Sequence, residues 1–174
     1  MRNLSFVTIL LFFLSVSAVN AQTGPVTNGP RLGIGADFAF PQNNSKNNPN
    51  YGAGASLLYQ HPLAKALNLT VNVGYLRFNG DPVFANIKYR QGFVPIKAGL
   101  RLYVTGKFFA AGELGASIST ANGNGKGTGF AYAPNLGFEF PVSNSGSIDL
   151  SARYENWSGN NNMSFIGLRA GFNF

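Results

Sequence analysis

The chain predicts an all-β protein, an eight-stranded antiparallel up-and-down barrel whose outer wall faces lipid. Three observations predict it. From residue 31 onward apolar residues recur with period two, the spacing of a strand whose two faces differ. One phase of that alternation is uncharged apart from Arg77, whereas the other carries five basic and five acidic residues. The connections, rich in Gly, Asn, Pro and Ser, alternate between longer and shorter.

The strands are expected in this order. Residues 31–40 set Leu32, Ile34, Ala36, Phe38 and Phe40 against Arg31, Gly33, Gly35 and Asp37. Residues 51–61 set Tyr51, Ala53, Ala55, Leu57 and Tyr59 against Gly52 and Gly54. In 68–78 the apolar phase is Leu69, Val71, Val73 and Tyr75, with Arg77 at the strand end, where it can reach a polar rim. Residues 91–104 place Val94, Ile96, Ala98, Leu100, Leu102 and Val104 opposite Lys97, Gly99 and Arg101. Residues 108–119 place Phe108, Ala110, Leu114, Ala116 and Ile118 opposite Glu113 and Gly115. In 129–141 the pattern is Phe130, Tyr132, Leu136, Phe138 and Phe140 against Gly137 and Glu139. Residues 147–155 show Ile148, Leu150, Ala152 and Tyr154 against Asp149, Arg153 and Glu155. The last strand, 165–174, shows Ile166, Leu168, Ala170, Phe172 and Phe174 against Gly167, Arg169 and Gly171.

Alternation alone does not say which face is inside. A soluble ligand-binding barrel would put the apolar phase inward; a membrane barrel inverts it. The charged phase is half glycine, a poor water-facing surface but a good lining for an interior only about as wide as its side chains. Its charges, Arg31, Asp37, Lys97, Arg101, Glu113, Glu139, Asp149, Arg153, Glu155 and Arg169, balance five to five. Charges in a confined interior must pair to offset desolvation. Aromatic residues stand near strand ends in the apolar phase (Tyr51, Tyr59, Tyr75, Phe108, Phe130, Phe140, Tyr154, Phe174), as interfacial girdles require. The connections 41–50, 62–67, 79–90, 105–107, 120–128, 142–146 and 156–164 fit short turns at the end holding both termini and long loops at the other.

Composition agrees. Only 11% of residues are charged, where about 25% is usual for soluble domains. Residues 1–21 read as a cleaved signal peptide: Arg2, the apolar run from Phe6 to Leu14, then Val19 and Ala21 as the small residues before Gln22. A tail, 22–30, would precede the barrel, 31–174. With no Cys, disulfides, thiolate metal sites and cysteine nucleophiles are excluded. The net charge of +7 invites a nucleic-acid reading, but its cations are scattered over the connections of an exported chain.

The phrases VPIKAGLRLYV (94–104), FFAAGELGASI (108–118), FAYAPNLGFEF (130–140) and GLRAGFNF (167–174) carry a resemblance. The chain resembles the small outer-membrane barrels of the OmpA/OmpX-like type, and the "outer membrane protein beta-barrel" or porin-family chains of Bacteroidetes-type bacteria. The resemblance implies a monomer in the Gram-negative outer membrane, among its lipid and lipopolysaccharide. It implies that the last strand, with Leu168, Ala170, Phe172 and Phe174 on one face, is the signal read by the barrel-assembly machinery.

The expected role is structural or interactive, with the long connections displayed to a surface ligand. The alternative is a narrow porin-like channel for ions or small solutes. Lys46, Arg77, Lys88, Arg90 and Lys126 form a basic outer rim suited to lipopolysaccharide phosphates. No enzyme, cofactor or metal is expected. The single histidine, His61, lies at the rim beside a short turn, away from the outer leaflet where lipid A-modifying barrels act, and it lacks triad or metal partners. The Gly-rich NGNGKGTG (122–129) lacks the Ser or Thr after its lysine and the helix that a phosphate loop needs.

Overall fold

A computed structural model describes residues 29–42, 49–84, 87–121, 126–143, 145–159 and 162–174, and of 81–84 and 87–89 the backbone alone. The expected signal peptide at 1–21, nearly all of the expected tail, Lys46 and residues 122–125 of the glycine-rich stretch lie outside the described residues. Eight strands follow one another: β1 (Arg31–Pro41), β2 (Pro49–Ala64), β3 (Leu67–Phe84), β4 (Ile87–Tyr103), β5 (Phe108–Ser119), β6 (Thr128–Pro141), β7 (Ser147–Ser158) and β8 (Met163–Asn173). Each pairs antiparallel with its sequence neighbour, and β1 pairs with β8 to close the barrel.

Closure runs from Gly33 opposite Asn173 to Pro41 opposite Phe165, and Leu32 and Phe174 exchange both backbone hydrogen bonds just below it. A closed ladder leaves no strand edge, which is what allows β-structure to sit in hydrocarbon. We call the end bearing both termini the terminal end and the opposite end the distal end.

The burial pattern decides the question that alternation left open. Ile34, Leu57 and Leu114 are 55–59% exposed, whereas Asp149 and Glu155 are fully buried. The charged phase therefore points inward and the apolar phase outward. Long inward side chains need room, and inward glycines supply it, Gly35 and Gly167 among them. A Cβ on Gly35 would stand 2.6 Å from Cζ of Arg169, and one on Gly167 2.9 Å from Nε of Arg153.

The strand count and order are as expected, but the connections are not. The segment 79–90 was expected as a long loop. Instead β3 and β4 continue through it as a hairpin, with only 85–86 between them. The connection 159–162 is likewise shorter than 156–164, so the strict long–short alternation fails. Gly80, Asp81 and Pro82 read as turn formers, yet they are absorbed by register shifts between Asn79 and Pro82 and between Pro82 and Phe84. Bulges and edges are where a strand tolerates proline, and among the described residues the ladders of this hairpin to β2 and β5 end at Pro49 and Ser119.

Candidate functional site: the barrel interior and its distal rim

Ion pairs join the ten inward charges into two chains of five. At the terminal end Arg31 contacts Glu139, Glu139 contacts Arg101 (3.4 Å), Arg101 contacts Asp149 (3.4 Å) and Asp149 contacts Arg169. Nearer the distal end Asp37 contacts Arg153 (2.7 Å), Arg153 contacts Glu155 (2.7 Å), Glu155 contacts Lys97 (2.8 Å) and Lys97 contacts Glu113 (3.3 Å). The first chain begins and ends on a cation, the second on an anion. Ser56 links them: its Oγ accepts from Arg169 Nε (3.1 Å) and donates to Asp37 Oδ2 (2.5 Å). The result is one ribbon of alternating sign through the lumen. Every neighbour of a charge along it is opposite or neutral, which is how buried charge avoids an uncompensated desolvation cost.

Neutral groups complete the terminal end. Tyr103 donates to Glu139 Oε2 (2.6 Å), and its hydroxyl accepts from Arg31 Nη2 (3.0 Å). Ser147 donates to the other Glu139 oxygen (2.6 Å). The Arg101 guanidinium lies 3.9 Å over the Phe109 ring, a cation–π contact.

Above Glu155 the lining changes character. Trp157 donates its indole N–H to Glu155 Oε1 (2.7 Å) and packs on Phe93 (4.8 Å between centroids), Phe165 (5.1 Å) and Phe78 (5.8 Å). Leu76, Ala39, Ala131 and Met163 complete this buried cluster. Sequence reading attended to the charges and glycines of the inward phase and passed over these residues. Their signal was parity: Phe93, Trp157 and Phe165 stand in step with the inward charges of their strands, and Phe78 opposite the outward phase of its own. Together the ribbon and the aromatic plug occupy successive levels of the lumen.

Two outward features matter. The exposed Arg77 stands on β3 opposite Ala53 of β2 and Gly92 of β4, and Arg90 stands opposite Asn79 one step further along. Since 77 and 79 share a face of β3, as 90 and 92 do of β4, both guanidinium groups leave the same outer face near the distal end. Tyr75 covers Gly92 there: a Cβ on Gly92 would meet both the Tyr75 ring and Thr120 Oγ1, which it would approach to 2.6 Å. Lys126 is exposed in the β5–β6 connection, and Lys88 falls where the backbone alone is described. At the terminal end His61 is exposed, its Nδ1 3.2 Å from the Tyr59 hydroxyl. On β8 Leu168, Ala170 and Phe172 are exposed, as is Phe174 just past its end, with the Phe172 and Phe174 rings stacked 6.5 Å apart. Among the described residues no group of three or more His, Cys, Asp or Glu side chains could hold a metal.

With this geometry in view, the comparisons with known proteins concern the fold. Neisserial surface protein A matches with a TM-score of 0.59 at 16% identity, over 84% of this chain and 96% of that one. The outer membrane protein OprG of Pseudomonas aeruginosa matches with 0.56 at 12% identity, over 87% and 97%. Ail, the attachment invasion locus protein of Yersinia pestis, solved in complex with the heparin analogue sucrose octasulfate, matches with 0.55 at 16% identity, over 85% and 100%. The chain has the fold of small outer-membrane barrels. No family model and no curated protein sequence matches it.

Proposed function

We propose that this is an integral outer-membrane barrel, exported through a leader at 1–21, with both termini in the periplasm and a structural and surface-interaction role. Its distal rim binds polyanions, first of all the phosphates of lipopolysaccharide. The observation that carries the reading is the shared outward face of Arg77 and Arg90 on adjacent strands, at the same end as the exposed Lys126 of the β5–β6 connection. Cations at headgroup level of an otherwise uncharged wall meet anionic lipid at little desolvation cost. The structural likeness to Ail, which was solved with a sulfated heparin analogue, is in keeping with a polyanion partner.

The aromatic face of β8 supports recognition of Phe174 and Phe172 by the assembly machinery during insertion. The interior favours a closed barrel over a narrow channel, because paired charges and packed rings occupy it at successive levels. Charge ribbon and plug hold the wall rigid while the rim makes contacts.

The test is binding of the purified, detergent-solubilised protein to lipopolysaccharide. Neutralising Lys46, Arg77, Lys88, Arg90 and Lys126 to Gln together should weaken binding at least tenfold at low salt, with a smaller loss at high salt. Unchanged binding by a variant that still shows the heat-modifiable gel shift of a folded barrel would overturn the reading.

A further inference from the structure

The outer wall is not uniformly bulky. Across β4, β5 and β6 the outward row Leu100–Gly112–Pro134 is notched, and the row below it, Leu102–Ala110–Leu136–Ala152, alternates large and small. The notch is real space: a Cβ on Gly112 would meet nothing within 4 Å. Gly112 is thus unlike the inward glycines, which exist to admit a neighbour. Around it lies an apolar groove of about 740 Å³ that runs down to Leu67 and Leu102 at the terminal end. The β6–β7 pairing skips Ala133 and Pro134 without a change of register, as expected where proline has no N–H to give the ladder, and the groove lies against this gap.

Two lysines stand in the turns at the terminal end of the strands that line this groove. Lys65 sits in the β2–β3 turn, two residues before Leu67. That turn is pinned to the end of β4, where Tyr103 N donates to Ala66 O at 2.8 Å. Lys107 sits in the next turn, β4–β5, three residues before Ala110, with its carbonyl accepting from Glu139 N at 2.7 Å. Both side chains are exposed. No carboxylate side chain competes for them among the described residues at this end, since Asp37, Glu113, Glu139, Asp149 and Glu155 are all turned inward. A hydrocarbon groove with two exposed cations in the turns below it has the two-part chemistry of one ligand.

The geometry points to a resident anionic glycerophospholipid on this wall, in the leaflet at the terminal end. Its acyl chain lies along Leu102, Ala110, Gly112, Pro134 and Leu136, and its phosphate lies between Lys65 and Lys107. Apolar burial holds the chain and charge selects the headgroup, since a lysine near an anionic surface strengthens association roughly fivefold. The site uses neither Arg77 nor any distal cation, so its fate is independent of the lipopolysaccharide reading above.

The experiment is to reconstitute the full chain in equimolar phosphatidylcholine and phosphatidylglycerol, extract it gently, and measure the retained lipid by native mass spectrometry. The protein should retain phosphatidylglycerol in preference to phosphatidylcholine. The double variant Lys65→Gln/Lys107→Gln should lose that preference, by roughly thirtyfold for the two charges. Gly112→Leu, which fills open space and should leave the barrel folded, should lower retention of both lipids while sparing the preference in what remains. An unchanged preference in the lysine variant, or unchanged retention in Gly112→Leu, overturns the assignment. So does lipid A displacing phosphatidylglycerol when it is offered at equal concentration.

Discussion

The two levels of the barrel interior are filled by opposite means. From Arg31 up to Glu155 the lining is held by charge: ten ionised side chains in alternating order, cross-linked by Ser56, Tyr103 and Ser147. Above Glu155 it is held by shape: Phe78 and Phe165 meet their neighbours edge to face, Phe93 and Trp157 pack tilted, and aliphatic side chains complete the cluster. Each strand contributes inward residues to a space only about a side chain wide, so either solution fills it. They differ in how they tolerate damage. A charge ribbon is robust while complete and costly when a link is removed, because the partners stay buried without compensation. An aromatic plug loses contact area, and the cost depends on how far the neighbours relax.

The largest expected effect is therefore in the ribbon. Glu155 holds Arg153, Lys97 and the Trp157 indole at once. Glu155→Leu should destabilise the folded barrel by about 3–5 kcal/mol, the cost of orphaning buried partners. Urea unfolding in lipid vesicles measures it. A loss below about 1 kcal/mol would mean that the lumen is wet enough to solvate the two cations. Trp157→Ala should cost somewhat less, about 3 kcal/mol, toward the lower end of the range for emptying a buried aromatic site. It removes the hydrogen bond to Glu155 but leaves Lys97 and Arg153 to compensate that carboxylate. If the two variants reversed their order, the plug rather than the ribbon would be the main source of interior stability.

Much of this was legible in the residues. Period two put Glu139 and Phe140 on opposite faces, and the balance of charge argued that the polar face was the inner one. The partners were not legible. Arg31 meets Glu139 across 108 residues of chain, and Arg153 meets Asp37 across 116, distances that only barrel closure and shear bring together. The plug was readable by parity, but Phe78 and Phe165 fall at the ends of the expected strands 68–78 and 165–174, and in the structure β3 runs on to Phe84. The β3–β4 hairpin was misread because Gly80, Asp81 and Pro82 carry turn chemistry wherever they stand. In the barrel they sit instead in a stretch of β3 whose pairing with β4 shifts register twice, so the strand takes up the proline as a bulge.

The central claim is the inverted barrel itself, with the apolar phase against lipid and the charged phase enclosed. The natural absence of cysteine makes it directly testable by spin labels on single introduced cysteines along β6, residues 130–140, in bilayers. Collision with oxygen, which concentrates in lipid, should peak at Phe130, Tyr132, Leu136, Phe138 and Phe140. It should fall at Ala131, Ala133, Asn135, Gly137 and Glu139. Oxygen accessibility that peaked instead at the odd positions, or a lack of alternation along the strand, would contradict the account.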